Sequence, residues 1–173
     1  MVFKELFKAV MEQLMPSGNK ELIKYFAYNW GQFEDNPEKD PLINPAALFS
    51  VQPSEFKSGG RGSQTGSIGF QLQLIYQTYA EADSRASSTA VLDKSLGFLD
   101  LMEGVYAKLH NWTPDIDGVS TISCQGIVGD PIANGDLVSI TLGFTTLGKI
   151  TTNVTDPLSA VTQPMNDTIN VTS

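Results

Sequence analysis

From Val2 to Leu14 apolar residues recur at steps of three and four: Val2, Phe3, Leu6, Phe7, Val10, Met11 and Leu14. Lys4, Glu5, Lys8, Glu12 and Gln13 fall outside that stripe, so the spacing predicts an amphipathic helix. Pro16-Ser17-Gly18 ends it. Because the polar face is mixed in sign, the stripe reads as a core face rather than a membrane anchor. Residues 22–30 hold Ile23, Tyr25, Phe26, Tyr28 and Trp30. Aromatic and β-branched enrichment over so short a span favours a strand; a helix is the alternative, since Lys and Glu precede it.

Period-two patterns dominate the middle of the chain. In 45–56, Ala47, Phe49 and Val51 alternate with Leu48, Ser50 and Gln52, and Pro53 interrupts the ladder. In 68–79, Ile68, Phe70, Leu72, Leu74 and Tyr76 alternate with Gly69, Gln71, Gln73, Ile75 and Gln77, which predicts a half-buried strand with one apolar face and one amide-rich face. Between them about ten residues rich in Gly, Ser, Lys and Arg read as a long hairpin loop, beyond the usual 2–5. Residues 86–110 read as the main helix. Its stripe is Leu92, Leu96, Leu99, Met102, Tyr106 and Leu109, with Ser87 and Ser88 as N-cap candidates and Gly97 and Gly104 as points of close packing. Two strands follow. In 119–128, Ile122, Cys124 and Val128 share a face; in 137–147, Val138, Ile140, Leu142 and Phe144 do. The segment Gly129 to Asp136 is a turn-rich connection. The order α, β, β, β, α, β, β predicts an α+β domain: a mixed, mostly antiparallel sheet with two helices packed on it, a long β-hairpin loop and an extended C-terminal arm.

Composition sharpens the boundary. Residues 1–147 form the predicted single domain. Residues 148–173 are Thr-, Asn- and Ser-rich and bury too little surface to fold alone. They are expected to be a flexible or partner-ordered arm, with Val154, Leu158, Val161, Ile169 and Val171 as its partner contacts by strand addition. Four Asn-x-Thr triplets, three of them in this arm, carry no weight without a signal peptide, and none is expected from the N-terminal pattern.

Candidate chemistry is sparse. The chain has 11 Lys and Arg against 19 Asp and Glu, a net charge of −8, which argues against tight nucleic-acid binding. No apolar run reaches the ~20 residues that span a bilayer. Cys124 and His110 are each the only residue of their kind, so a Cys/His zinc site is excluded and Cys124 reads as a small buried hydrophobe. The acidic segment 34–41 lacks the spacing and glycine of an EF-hand loop. The stretch "FKSGGRGSQTGSIGF" has no Gly-Lys pair, and a strand rather than a helix follows it, so neither nucleotide fingerprint fits. Lys57, Gly59, Gly60, Arg61, Gly62, Ser63 and Gln64 are instead the candidate interface or lumen loop. No catalytic, cofactor-binding or metal-binding residue is assigned, and the chain is expected not to be an enzyme.

The order of elements as a whole resembles the tail-terminator and head–tail joining (neck) proteins of tailed bacteriophages. The likeness rests on the N-terminal helix, "IKYFAYNWGQFEDN", "INPAALFSV", the polar hairpin, "IGFQLQLIYQTY", "LGFLDLMEGVYAKLHNW" and a closing strand pair, and covers about 1–147. The resemblance implies a ring, usually a hexamer, between portal or adaptor and tail-tube proteins, with a dodecamer as the alternative for this chain. Such rings end the tube or join tail to head, and DNA passes through without specific binding. The resemblance implies a virion protein assembled in the bacterial cytoplasm, with no membrane and no cofactor; the alternative readings are another virion connector or adaptor ring, a generic protein-interaction domain and, last, an unidentified enzyme. The Thr/Asn-rich arm departs from the compact family pattern.

Overall fold

The computed structural model describes residues 2–16, 22–31, 44–52, 54–60, 62–77, 96–134 and 137–151. In chain order the elements are α1 (Val2–Leu14), β1 (Tyr25–Tyr28), β2 (Ala46–Val51), β3 (Phe56–Gly60), β4 (Ser63–Gln77), α2 (Gly97–Leu109), β5 (Ser123–Ile127), β6 (Ile132–Asn134) and β7 (Leu137–Thr151). The fold is α+β. Seven strands make one sheet of order β1-β2-β4-β7-β5, with β3 added beside β4 and β6 beside β7. Among the described strands only β1 and β2 run parallel. The acidic segment 34–41, the N-cap candidates Ser87 and Ser88, Arg61 and the arm residues Val154, Leu158, Val161, Ile169 and Val171 lie outside the described residues.

The axis of the sheet is the β4–β7 pair, in register over its whole length from Ser63↔Thr151 to Gln77↔Leu137. At ~3.4 Å per residue this ladder is about 50 Å long. Alternation along it sorts the two faces. Phe49 stacks on Phe70 and Phe70 on Phe144, both with centroids 5.2 Å apart, and Phe7 of α1 meets Phe49 edge-on at 5.5 Å. Leu6, Val10 and Leu14 from α1 and Leu101, Val105 and Leu109 from α2 close this core on the same face of the sheet. Gln13 Nε2 donates to the Lys108 carbonyl at 3.0 Å and ties the two helices together. A smaller cluster of Ala46, Leu48 and Ile75 is buried on the opposite face.

Gly97 and Gly104 are points of close packing, as the sequence suggests. A Cβ on Gly97 would strike the Tyr76 hydroxyl, and one on Gly104 would lie 2.6 Å from Leu22 Cδ1.

Four expectations are corrected. The loop anticipated between strands two and three is mostly strand: β3 pairs with the start of β4 through Phe56↔Gly66, Lys57↔Thr65 and Ser58↔Gln64, with Gly62 in the turn. Gly62 there has φ 73°, a left-handed value that glycine adopts without cost. The turn-rich segment before β7 contains the short strand β6, paired Ile132↔Ser139. The shared face of Ile122, Cys124 and Val128 is broken by a bulge between Cys124 and Gly126. The extra residue reverses the alternation, so Ile127 pairs with Leu142 while Val128 packs over Gly143 on the other face. Finally, the buried stripe of α2 is Leu101, Val105 and Leu109; of the predicted set, Leu109 is buried, Met102 packs against the core, Leu99 and Tyr106 are exposed, and Leu92 lies outside the described residues.

Candidate interaction surfaces

The candidate loop residues are built into a three-stranded finger. Lys57, Gly59 and Gly60 sit in β3, Gly62 in the turn, and Ser63 and Gln64 in β4. On its other side β4 meets the end of β7, so the finger is β3-β4-β7. Its register puts Lys57, Thr65 and Lys149 in one cross-strand row. Directly paired residues share a face, and the two lysines stand about 10 Å apart on it. Both are exposed. In a chain of charge −8 this is a locally basic strip. The sequence hid it, because Lys149 is brought to Lys57 only by register.

The same face continues as a band of hydroxyls and amides. Ser67 Oγ and Thr145 Oγ1 share a hydrogen bond of 2.8 Å. Further along, Asn29 Nδ2 donates to Gln73 Oε1 and Gln73 Nε2 donates to Ser139 Oγ, both at 2.9 Å. Gln73 and Ser139 are buried, so this chain of bonds fixes the register of β4 against β7 where polar groups would otherwise be costly.

Two apolar grooves open on the helical face. The first, of about 260 Å³, lies between the start of α1 and the ends of β1 and β2, lined by Phe3, Phe7, Tyr28, Trp30, Phe49 and Val51. Trp30 stands at its mouth 79% exposed, its ring 4.6 Å from that of Tyr28. The second, of about 360 Å³, lies between α2 and the edge strand β5, lined by Met102, Tyr106, Cys124, Gly126, Ile127 and Leu142 among others.

His110 and Cys124 meet beside this second groove. The Cys124 backbone N–H donates to His110 Nδ1 at 3.2 Å. The imidazole stacks on Tyr106 at 4.7 Å. Accepting at Nδ1 places the ring proton on Nε2, so the histidine caps the edge of β5. The thiol is partly buried against the core, close to the reading of Cys124 as a small hydrophobe. Among the described residues no group of three His, Cys, Asp or Glu is placed to hold a metal, and no helix is long and apolar enough to cross a membrane.

Neither a protein-family model nor any curated protein matches the sequence. Solved structures do match the fold. One is a chain from "Virion of native gene transfer agent (GTA) particle", with a TM-score of 0.50 and 13% identity, covering 86% of this chain and 98% of that one. At that identity the likeness is one of fold.

Proposed function

We propose that this chain is a structural virion protein of a phage-like particle, a subunit of the neck ring that ends the tail tube or joins tail to head around the DNA channel. The observation that carries the reading is the shared fold with a virion chain over 86% of this molecule and 98% of the other. The order of elements that resembles neck proteins supports it independently. So does the surface: two apolar grooves, an exposed Trp30 and a projecting finger are the parts that a head-to-tail interface needs. The proposed partners are further copies of this chain in a hexamer, together with portal or adaptor and tail-tube proteins. The proposal gives the chain no catalytic step.

Native mass spectrometry and negative-stain microscopy of the purified chain test this reading, alone and mixed with tube or portal proteins. The expected result is a closed ring of six subunits, or of twelve. A monomer at every concentration, with no ring in either mixture, overturns it.

A further inference from the structure

Helix α2 carries two apolar stripes. Leu101, Val105 and Leu109 are buried on the sheet, while Leu99, Met102 and Tyr106, at spacings of three and four, lie on another flank. Leu99 is 38% and Tyr106 46% exposed. A helix that meets only its own domain carries polar residues on that flank. This second stripe supplies Met102 and Tyr106 to one wall of the groove of about 360 Å³, and β5 supplies the other with Cys124 and Ile127. Ile127 is itself 54% exposed. The volume is that of a cleft built to take an apolar ligand of modest size.

We propose that this groove receives the C-terminal arm of a neighbouring copy, with Ile169 and Val171 seated between α2 and β5; the inference rests on the assembly proposed above. Within residues 152–173 only Thr168-Ile169-Asn170-Val171-Thr172 alternates two aliphatic side chains with polar ones. An extended chain therefore turns both toward one wall. The segment carries no charge to desolvate.

The head-to-tail ring proposed above, rather than the reach of the arm, assigns it to a neighbour. Leu142 lies at the groove, and β7 then runs on to Thr151, about 30 Å further along the strand. β7 thus ends at the far end of the sheet from the groove. Residues 152–171 span up to about 65 Å when extended, enough to reach an adjacent copy or to fold back onto the chain's own groove, which intermolecular and intramolecular adducts distinguish. The edge of β5 itself offers no regular ladder. It is bulged at Cys124 and Gly126, and His110 already holds the Cys124 N–H. Such features blunt an edge against strand pairing, so the arm is held by its side chains rather than by backbone bonds.

Cys124 is the chain's only cysteine and lines the groove, so it serves as a built-in reporter. Val171→Cys and Ile169→Cys variants of the full chain are oxidised with diamide and run on denaturing gels without reductant. The expected result is a ladder of intermolecular adducts from at least one variant, abolished by Cys124→Ser and reduced at least fivefold by Tyr106→Glu. Gln163→Cys, in a polar part of the arm, should give at least fivefold less. Rings visible by microscopy but without intermolecular adducts from either variant would overturn the arm's place and leave the ring standing. An adduct confined within one chain would also overturn it. Should no ring form, the ring reading fails by itself. Intermolecular adducts in concentrated protein would still sustain the docking, and their absence would overturn it.

Discussion

Gln73 is the residue on which the polar face of the sheet depends. It is 5% exposed, accepts from Asn29 and donates to Ser139. Removing one member of a buried network leaves its partners desolvated and unpaired, which costs ~1–3 kcal/mol. Gln73→Ala is therefore expected to lower unfolding stability by about that amount in urea titration. The double variant Gln73→Ala, Ser139→Ala should cost less than the sum of the two singles, since the second removes a group already orphaned. Strict additivity would show that the bonds are not coupled. The sequence placed Gln73 on the amide-rich face through its alternation with Phe70, Leu72 and Leu74. It could not reveal the burial, because that depends on Asn29 and Ser139, far away along the chain.

At the scale of elements, legibility followed chemical contrast. β4 and β7 were readable because most of their apolar residues alternate with small or polar ones, and α1 because its stripe is single. β3 was not, because Phe56-Lys57-Ser58-Gly59-Gly60 has turn-like composition and becomes a strand only through pairing with β4. The bulge in β5 was invisible for a related reason: an extra residue reverses alternation without leaving a mark in residue type. α2 was readable as a helix but its orientation was not. With apolar residues on two flanks, periodicity alone does not say which meets the core. The structure separates the two stripes, and they should respond differently. Leu101→Ala removes a side chain 4% exposed and is expected to cost ~2–5 kcal/mol. Leu99→Gln, on the exposed flank, should change stability by no more than about 0.5 kcal/mol. Thermal or urea unfolding of the two variants side by side decides the matter; equal losses would mean that both stripes belong to the core.

The whole molecule is organised around one long pair of strands, and this moves the end of the folded unit. Composition changes at Gly148, yet β7 continues through Gly148, Lys149, Ile150 and Thr151, paired with Ser63 to Gly66. Those last four residues do more than extend a strand. Val119 bridges to Gly148, and the Lys149 N–H donates to the Gly118 carbonyl at 2.8 Å, which fastens the connection between α2 and β5. Without them, the start of β4 would keep only β3 as a neighbour, and an isolated two-stranded hairpin is marginal in water. A chain cut after Leu147 loses several backbone bonds worth ~0.5–1.5 kcal/mol each, a drop in melting temperature of about 5–10 °C for a domain of this size. A chain cut after Thr151 keeps every one of these bonds and should melt within about 2 °C of the full chain. Calorimetry of both truncations reads the difference, and hydrogen exchange locates it: protection should fall in 56–66 and 118–120 for the shorter chain alone. If both melt like the full chain, the finger stands without the last four residues of β7.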